Sequence, residues 1–388
     1  MWKINELFPF DGSSTRLIPD SANDCRVLQT IRITGPQIKR QNRVPIQNSK
    51  SRVTLRDIAR HVGVHPSTVS RVLNPGTRQM VTEEIAKKVT KAAHELGYRP
   101  NAFAQSLKTN RSCTIGVMVP DLTNAAFAPI IKGIDNVLEE SGYSVIVANT
   151  DNVAERAKRN VDKFRERQVD GLVIATARRQ DELVADCRAE GTPFVLAVRS
   201  TTDIGVSSVV SDEVIGVKMV MSHLVQLGHR DIACVAGPQF LSTGFERYQG
   251  YLQGLAQAGL EADPDLFAEG EAFTEEEGRR AASKILATRK KFTAIVASND
   301  LMALGCYDEL MAKGLKCPDD VSVVGFDDMP FASHFNPPLT TVHTPLLDVG
   351  AEAARILLEQ IEEPYLPARA LKLRPELIVR ASTAPVVS

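Results

Sequence analysis

The segment TLRDIARHVGVHPSTVSRVLN, residues 54–74, constrains the fold of this chain more than any other stretch. Apolar residues at i, i+3 and i+7 mark the buried face of a first helix, namely Leu55, Ile58 and Val62. The small residue Ala59 allows a second helix to pack closely, and Val69 is the apolar anchor of that helix. Gly63 lies between them, where a turn is needed. The pattern predicts two short helices joined by a tight turn.

The helix starts in this segment carry their own signals. Thr54 and Asp57 match the T-x-x-D pattern that begins a helix, and Pro66 suits the first position of the second helix. These constraints occur together in a basic segment, and they predict a DNA-binding helix-turn-helix. The helix from Pro66 to Leu73 is expected to enter the major groove with its N-terminal residues first.

The charge of the chain is divided unevenly. Residues 51–111 carry 11 Lys and Arg against 4 Asp and Glu, and residues 1–50 carry 8 against 4. Residues 112–388 carry 27 against 39, although the whole chain has a net charge of −1. A cationic module on an acidic body favours a nucleic-acid contact confined to one end of the molecule.

The six cysteines are scattered and include no C-x-x-C pair, which argues against a zinc site and against a disulfide framework. Free or buried thiols in a reducing cytosol are the expected state. No apolar run approaches the roughly 20 residues that span a bilayer, and the N-terminus lacks the layout of a secretory signal peptide. We therefore expect a cytoplasmic protein with no membrane contact, no metal and no cofactor.

The remainder of the chain alternates between strand and helix patterns. A third helix is predicted to begin after Thr82 and to end at Gly97. From Thr114 onward, seven apolar runs are each followed by an amphipathic stretch: TIGVMV, SVIVAN, GLVIA, PFVLAV, DIACVAG, FTAIVAS and VSVVGF. Short β-branched runs separated by helices indicate parallel sheets with crossover helices. Seven strands are more than a single sheet of usual size contains, so two similar lobes are expected.

This combination resembles the LacI/GalR family of bacterial transcription regulators from about Val53 to about Ser382. The resemblance is carried, in the family's order, by TLRDIARHVGV, STVSRVLN, LGYRPNAFAQSL, IGVMVPDLTNAAFAPII, LGHRDIACVAGP, ERYQGY, ASNDLMALG, SVVGFDD and PPLTTVHTP. It implies an N-terminal all-α helix-turn-helix domain followed by a two-lobed α/β core like a type I periplasmic binding protein. It also implies a homodimer, in the bacterial cytoplasm, that binds a palindromic operator.

The resemblance also implies the domain boundaries. Residues 1–51 form an N-terminal extension that we expect to be disordered, 52–99 form the DNA-binding domain, and 100–111 form a hinge helix and linker. Residues 112–388 form the core that binds the effector and dimerises. Its first lobe is expected to comprise 112–211 and 341–368, and its second lobe 212–340 and 369–388.

Eight residues are predicted to contact DNA through the helix-turn-helix. The resemblance implies base contacts by Pro66, Ser67 and Arg71, and Arg71 can donate a bidentate pair to guanine. His65 stands where the family usually has a capping serine, so it either contacts a phosphate or base or is a tolerated surface residue. Contacts to phosphate or sugar are predicted for Thr54, Thr68, Ser70 and Asn74. For Asn74 the alternative is that it turns the chain before Pro75.

Four further residues match the hinge pattern: Asn101, Ala104, Gln105 and Leu107. In the family, an apolar wedge at the position of Leu107 enters the minor groove and kinks the operator. The alternative is that Leu107 packs on the body.

The resemblance implies a small-molecule effector between the lobes, bound by Phe127, Arg247, Phe273, Asn299 and Asp327, and Arg199 is a sixth candidate. Many sugar-binding members carry an Asp where this chain has Val198, followed by Arg199. Arg199 and Arg247 together would favour an anionic ligand such as a sugar acid, or Arg199 points to solvent or pairs across the lobes. Helix capping by Asp300 and Asp328, and a core role for Phe127, are the structural alternatives.

The leading hypothesis is therefore a ligand-responsive transcription regulator, most often a repressor, that acts by population shift. An α/β enzyme with a DNA-binding appendage is the first alternative. It lacks support because no G-x-G-x-x-G after the first strand, no G-x-x-x-x-G-K-[ST] and no G-x-S-x-G is present. A solute-binding protein is the second alternative. The end of the chain carries no leucine heptads, which favours a dimer over a tetramer.

Overall fold

The computed structural model describes residues 53–98 and 111–386, which belong to two compact units. The predicted N-terminal extension, residues 1–51, lies outside the described residues. The same holds for the four predicted hinge residues, Asn101, Ala104, Gln105 and Leu107.

Within residues 53–98, the first unit consists of three helices. They are α1 (Leu55–Val62), α2 (Pro66–Leu73) and α3 (Glu83–Glu95), with a 3₁₀ turn at Pro75–Met80. At the start of α1, both the backbone N–H and the hydroxyl of Thr54 donate to Asp57 Oδ2, at 2.9 and 2.7 Å. Gly63, with a φ of +75°, ends α1 in the left-handed conformation that the tight turn requires. The shared core is Ile58, Ala59, Val69, Val72, Ala86, Val89, Ala92 and Ala93.

The second unit contains two parallel sheets. The first has the order β11-β5-β4-β3-β1-β2, and the second has the order β7-β6-β8-β9. Strands of the first sheet are β1 (Thr114–Val119), β2 (Ser144–Asn149), β3 (Gly171–Ile174), β4 (Phe194–Ala197), β5 (Ser208–Ser211) and β11 (Ala370–Leu373). Strands of the second sheet are β6 (Ile232–Ala236), β7 (Phe267–Glu269), β8 (Ala294–Ala297) and β9 (Ser322–Val324). A separate antiparallel pair joins β10 (Thr341–His343) to β12 (Glu376–Ile378).

Helices cover the faces of these sheets. Those on the first sheet are α4 (Phe127–Glu140), α5 (Ala154–Glu166), α6 (Glu182–Ala189) and α11 (Leu346–Glu362). Those on the second sheet are α7 (Glu213–Gln226), α8 (Ser242–Gln257), α9 (Glu275–Ala287) and α10 (Asp300–Ala312). All seven apolar runs became strands, and the prediction of a two-lobed α/β core is confirmed. None of the helices in the described ranges is long and apolar enough to cross a membrane.

The predicted lobe boundaries were wrong at two places near the end of the chain. Strand β11 pairs with β5 in the first sheet, so residues 370–373 belong to the first lobe and not to the second. Strand β10 lies beside the second lobe, through a bridge between Asp327 and His343, and the first lobe resumes only at Leu346. The alternating pattern of an edge strand predicts that a strand forms, but it does not identify the sheet that the strand joins. The chain thus crosses between the lobes three times: after β5, after β10 and after β11.

Helices α4 and α11 pack on the first sheet with their backbones in close contact. A Cβ atom at Gly133 would lie 2.0 Å from the carbonyl oxygen of Leu347, and one at Gly350 would lie 2.1 Å from that of Ile130. Only glycine permits this approach. The packing fixes the N-terminal end of α4, where Phe127 lies.

In the second lobe, the buried carboxylate of Asp300 joins three segments. Asp300 Oδ1 accepts a hydrogen bond from Thr341 Oγ1 at 2.5 Å, and Oδ2 accepts one from the backbone N–H of Met329 at 2.7 Å. Burial raises the pKa of Asp300 to about 8, and the charge of nearby Asp327 adds to this effect. The contacts hold α10, β10 and the loop after β9 together.

Gly133→Ala is expected to lower the free energy of unfolding by about 1–3 kcal/mol, because the added methyl group must push α4 and α11 apart. Urea denaturation measures the change. Asn136→Ala, at an exposed position of the same helix, is the matched control and should stay within about 0.5 kcal/mol of the unmodified protein. Equal stability of the two variants would contradict the proposed close contact.

Asp300→Asn is expected to remove a pH dependence of stability. The raised pKa means that the folded state binds the proton more tightly than the unfolded state, so this carboxyl favours folding at low pH. That contribution is lost as the pH rises toward 8. The unfolding free energy of the unmodified protein, relative to the Asn variant, should therefore fall from about pH 4 to about pH 8 and change no further above that. Asp186→Asn, at an exposed position, is the control, and a parallel decline in all three proteins would contradict the assignment.

Candidate functional site

The start of α2 is capped by the side chain that stands where the family usually has a serine. His65 Nδ1 accepts a hydrogen bond from the backbone N–H of Ser67 at 3.3 Å and lies 2.8 Å from Ser67 Oγ. His65 therefore replaces the usual hydroxyl cap and holds the first turn of the helix. Its proposed contact with DNA stays a prediction.

The outer face of α2 presents polar side chains while Val69 and Val72 are buried against the other helices. Ser67 and Arg71 are exposed, and Pro66, Thr68 and Ser70 are half-buried. The Arg71 guanidinium makes no hydrogen bond or ion pair with any other described residue. This leaves all of its donors available to a partner outside the domain.

Two of the residues predicted to contact the DNA backbone also have local roles. Asn74 Oδ1 accepts a hydrogen bond from the N–H of Gly76 at 3.1 Å and so caps the 3₁₀ turn that follows α2. The Thr54 hydroxyl donates to Asp57. Asn74 therefore turns the chain, as its alternative interpretation proposed.

A cavity of about 560 Å³ lies between the two lobes of the second unit. All six residues that were predicted to bind the effector line it: Phe127, Arg199, Arg247, Phe273, Asn299 and Asp327. Most of the residues that line it lie just after the carboxyl ends of parallel strands, where ligands bind in open α/β sheets. Its size suits a small polar metabolite.

Arg247, on α8, is buried, and each of its three side-chain nitrogens donates a hydrogen bond within the second lobe. Its Nε donates to Glu213 Oε2 at 2.5 Å, its Nη1 to the carbonyl oxygen of Ser298 at 2.5 Å, and its Nη2 to Asp327 Oδ1 at 2.9 Å. The guanidinium also stacks over Phe326, with Cζ 3.9 Å from the ring centroid. Arg247 therefore joins three elements of the lobe.

The charges in this cluster depend on one another. Burial raises the pKa of Glu213 to about 7, although the charge of Arg247 opposes the rise. Burial likewise raises the pKa of Asp327 despite Arg247. Burial works against the charge of Arg247 itself, but Asp327 and Glu213 outweigh it and keep its pKa above the ordinary range. The guanidinium is thus compensated inside the protein, so the expectation that Arg247 acts together with Arg199 on an anion is not supported.

Arg199, by contrast, has no carboxylate partner in the part of the chain that the structure describes. It is 4% exposed, and its Nη1 donates to Asn152 Oδ1 at 2.8 Å. It forms no ion pair with any residue in the described ranges, so the alternatives in which it points to solvent or pairs across the lobes are wrong. Burial, followed by the charges of Arg178 and Arg247, lowers its pKa to about 10.

The remaining predicted residues divide between packing and the cavity. Phe127 is 6% exposed and belongs to the core of the first lobe while its ring also lines the cavity. Asn299 is the N-cap of α10, and its Oδ1 accepts from the N–H of Met302 at 2.9 Å, so the capping role suggested for Asp300 belongs to Asn299. Asp328 pairs with Arg380 at 2.6 Å instead of capping a helix.

Three residues of the site were missed from the sequence. Asn152 binds Arg199, Glu213 binds Arg247, and Thr243 lines the cavity with a buried hydroxyl that has no partner. Asn152 follows β2 by three positions and has a φ of +56°, and that location after a parallel strand was a usable signal. Glu213 and Thr243 lie in first turns of helices, where the sequence offers no distinguishing pattern.

The lobes touch beside the cavity. The backbone N–H of Ser200 donates to Ser242 Oγ at 2.9 Å, and that of Arg179 donates to the carbonyl oxygen of Phe240 at 3.0 Å. The Arg179 guanidinium also stacks on Phe245, with Cζ 3.6 Å from the ring centroid. The loops after β3 and β4 therefore contact the N-terminal end of α8.

Two family models match this chain. The model of bacterial regulatory proteins of the lacI family matches residues 54–101, and the model of a periplasmic binding protein-like domain matches residues 221–383. The first match coincides with the three-helix unit, and the second lies within the two-lobed unit.

Relatives and solved structures match along most of the chain. An HTH-type transcriptional repressor, PurR from Vibrio campbellii, is 36% identical over 334 residues, which are 84% of this chain and 97% of the relative. The lac repressor dimer bound to operator and the anti-inducer ONPF has a TM-score of 0.76 at 28% identity, covering 86% of this chain and 100% of that structure. The regulator CelR in complex with cellobiose has a TM-score of 0.66 at 33% identity, covering 85% of this chain and 100% of that structure.

The helical domain that carries α2 and the two-lobed core thus both lie in the part of the chain that aligns with transcriptional repressors. The chain belongs to the lacI family of bacterial regulatory proteins and is a transcription regulator with a helix-turn-helix DNA-binding domain and an effector-binding core.

Proposed function

We propose that this regulator represses transcription as a homodimer on a palindromic operator and that a small polar metabolite in the cleft controls it. The observation that carries the proposal is the convergence of six predicted residues on one cavity between the lobes. A cavity that both lobes line makes different contacts with a ligand when the lobes are open and when they are closed. That difference is what a population shift requires.

On the DNA side, α2 supplies the base contacts. Arg71 is the principal one, because its guanidinium is exposed and has no partner within the described part of the chain. Ser67 and Pro66 add shorter contacts at the N-terminal end of the helix, with His65 beside them. Thr54, Thr68, Ser70 and Asn74 position the domain on the phosphates. The proposed minor-groove contacts lie outside the described residues: Asn101, Ala104, Gln105 and Leu107.

On the effector side, ligands of related regulators indicate the class of compound. CelR was solved with cellobiose, and a LacI-family regulator from Enterococcus faecium was solved with ribose at 27% identity and a TM-score of 0.63. Phe127 and Phe273 offer aromatic faces, and Asn299 offers its amide to a polar molecule of this size. We infer a carbohydrate, a sugar acid or a related metabolite.

The enzyme and solute-binding alternatives are not favoured. The relatives that align with 84% of this chain are transcriptional repressors, and the match includes the DNA-binding domain. A repressor gives both units a role in one function, whereas either alternative leaves the DNA-binding domain as an appendage.

Selection of binding sites from randomised duplex DNA is expected to yield a two-fold symmetric sequence, since each subunit of a homodimer reads one half-site. Arg71→Gln should weaken binding to that sequence by about 1–3 kcal/mol. Fluorescence anisotropy measures the affinity at one fixed salt concentration. Lys88→Gln removes the same charge from α3, where Lys88 pairs with Glu84 at 2.8 Å, and serves as the control. An asymmetric site, or equal losses in both variants, would contradict the model.

Saturating effector is expected to change operator affinity by about 5- to 150-fold, the usual range for coupling between two sites. A library of sugars, sugar acids and nucleobases, added to the protein–operator complex, identifies the effector by its effect on anisotropy. Phe273→Ala should reduce the response to that compound while the affinity of the ligand-free protein for DNA stays unchanged. If no compound that binds the protein alters DNA affinity, the effector half of this proposal fails and the DNA-binding half stands.

A further inference from the structure

We propose that the effector carries a carboxylate, which Arg199 of the first lobe and the first turn of α8 of the second lobe hold between them. The proposal rests on the proposed function, because it assigns a chemical class to the ligand of the same cleft.

The first observation is that Arg199 is buried and lacks a counter-ion among the described residues. A guanidinium carries five N–H donors, and Asn152 Oδ1 accepts from one of them. A buried charge without a partner destabilises a folded protein, and such groups are ordinarily paired. An Arg that lines a cavity under these conditions fits an anion that arrives with the ligand.

The second observation is that the acidic groups of the cavity wall do not neutralise Arg199. Five carboxylates line the cavity, and each is engaged elsewhere. Asp327 pairs with Arg247, Asp151 with Arg156, Glu271 and Glu277 with Arg280, and Asp121 accepts from the N–H and hydroxyl of Thr123. Arg199 is thus the cation of the cavity wall that is left uncompensated within the described residues.

The third observation lies across the cleft, at the N-terminal end of α8. This helix starts after Leu241 without a side-chain cap, so its first N–H groups and its dipole favour an anion. Thr243, in the first turn, is 3% exposed and lines the cavity, and its hydroxyl has no hydrogen-bond partner. Of the four buried side-chain polar atoms without partners in the described ranges, it is the one that lines the cavity.

Arg199 and Thr243 line the same cavity, and their neighbours in the chain form a contact between the lobes. Ser200 follows Arg199 in the chain, Ser242 precedes Thr243, and the N–H of Ser200 donates to Ser242 Oγ at 2.9 Å. Arg199 and Thr243 therefore stand on either side of one hydrogen bond between the lobes. A carboxylate at this point accepts a bidentate pair from Arg199 and a hydrogen bond from Thr243.

The remainder of the cavity fits a hydroxylated organic acid. Its volume of about 560 Å³ exceeds what a lone carboxylate needs, and aromatic rings of Phe127 and Phe273 line it together with the amide of Asn299. We therefore assign the ligand class as a sugar acid or a hydroxy acid of similar size. A phosphate ester shares the anionic chemistry and is separated by experiment.

Isothermal titration calorimetry with matched pairs tests the proposal on the full chain. The pairs are glucose with gluconate and glucuronate, and ribose with ribonate. Glucose 6-phosphate and inorganic phosphate form the phosphate arm, and cellobiose and hypoxanthine represent neutral ligands. We expect an acid to bind at least about tenfold more tightly than its neutral counterpart, as a charge-assisted pair would produce. Binding of neutral ligands only, or of phosphate compounds only, would overturn the carboxylate assignment.

Arg199→Gln is expected to weaken binding of that acid by roughly ten- to a hundredfold and to leave the neutral counterpart unchanged. Arg188→Gln is the matched control, because Arg188 is an exposed Arg of the first lobe that pairs with Asp203 at 2.5 Å. Thr243→Val should produce a smaller loss in the same direction. Equal binding by the Arg199 and Arg188 variants would overturn the assignment.

A second measurement does not depend on the choice of ligands. Arg199→Met removes an uncompensated buried charge but keeps a side chain of similar length, so the ligand-free variant should unfold at a higher temperature than the unmodified protein. If Arg199 instead stabilised the fold, its replacement by Met would lower the melting temperature, and that result would overturn the proposal. Operator binding by the ligand-free Arg199→Gln and Arg199→Met variants distinguishes failure of this inference from failure of the proposed function. If both variants bind the operator and a neutral compound changes the operator affinity, the proposed function stands and the carboxylate inference fails.

Discussion

The cleft depends on the buried guanidinium of Arg247, which holds α7, the end of β8 and the loop after β9 in one arrangement. Two carboxylates compensate this charge, and removal of Arg247 would leave Glu213 and Asp327 buried without it, which is a large penalty. The wall of the cleft that the second lobe forms is therefore fixed in place before any ligand binds. Rigid donors lose little entropy when a ligand binds, and they select the ligand that matches their positions.

The two walls differ in how their charges are satisfied. The second lobe balances Arg247 internally, whereas Arg199 of the first lobe has no counter-ion in residues 53–98 and 111–386. A ligand that supplies the missing charge bridges the lobes at the place where Ser200 and Ser242 already meet. It would bind the closed arrangement better than an open one, and this difference in affinity is the free energy that drives an allosteric change. The three crossings of the chain between the lobes limit the motion to a hinge.

Local patterns predicted the helical unit almost completely. The T-x-x-D start, the turn glycine and the proline at the first position of α2 each act within a few residues, so the sequence contains all the partners that matter. The same reasoning predicted seven strands, because β-branched runs between helices indicate buried parallel strands. That reasoning assigned β10 and β11 to the wrong lobes, because the sheet that an edge strand joins depends on contacts between residues distant in the chain.

The sequence by itself determined the helix-turn-helix and the two-lobed core, because those follow from periodicity and turn signals, and its resemblance to the lacI family indicated the residues that line the cleft. Only the tertiary structure decided what each charge does. Arg199 and Arg247 look alike in the sequence, yet one is enclosed by two carboxylates and the other has a single amide oxygen as its partner. The free energy of a buried charge depends on groups within a few ångströms, and in this fold those groups come from strands and helices far apart in sequence.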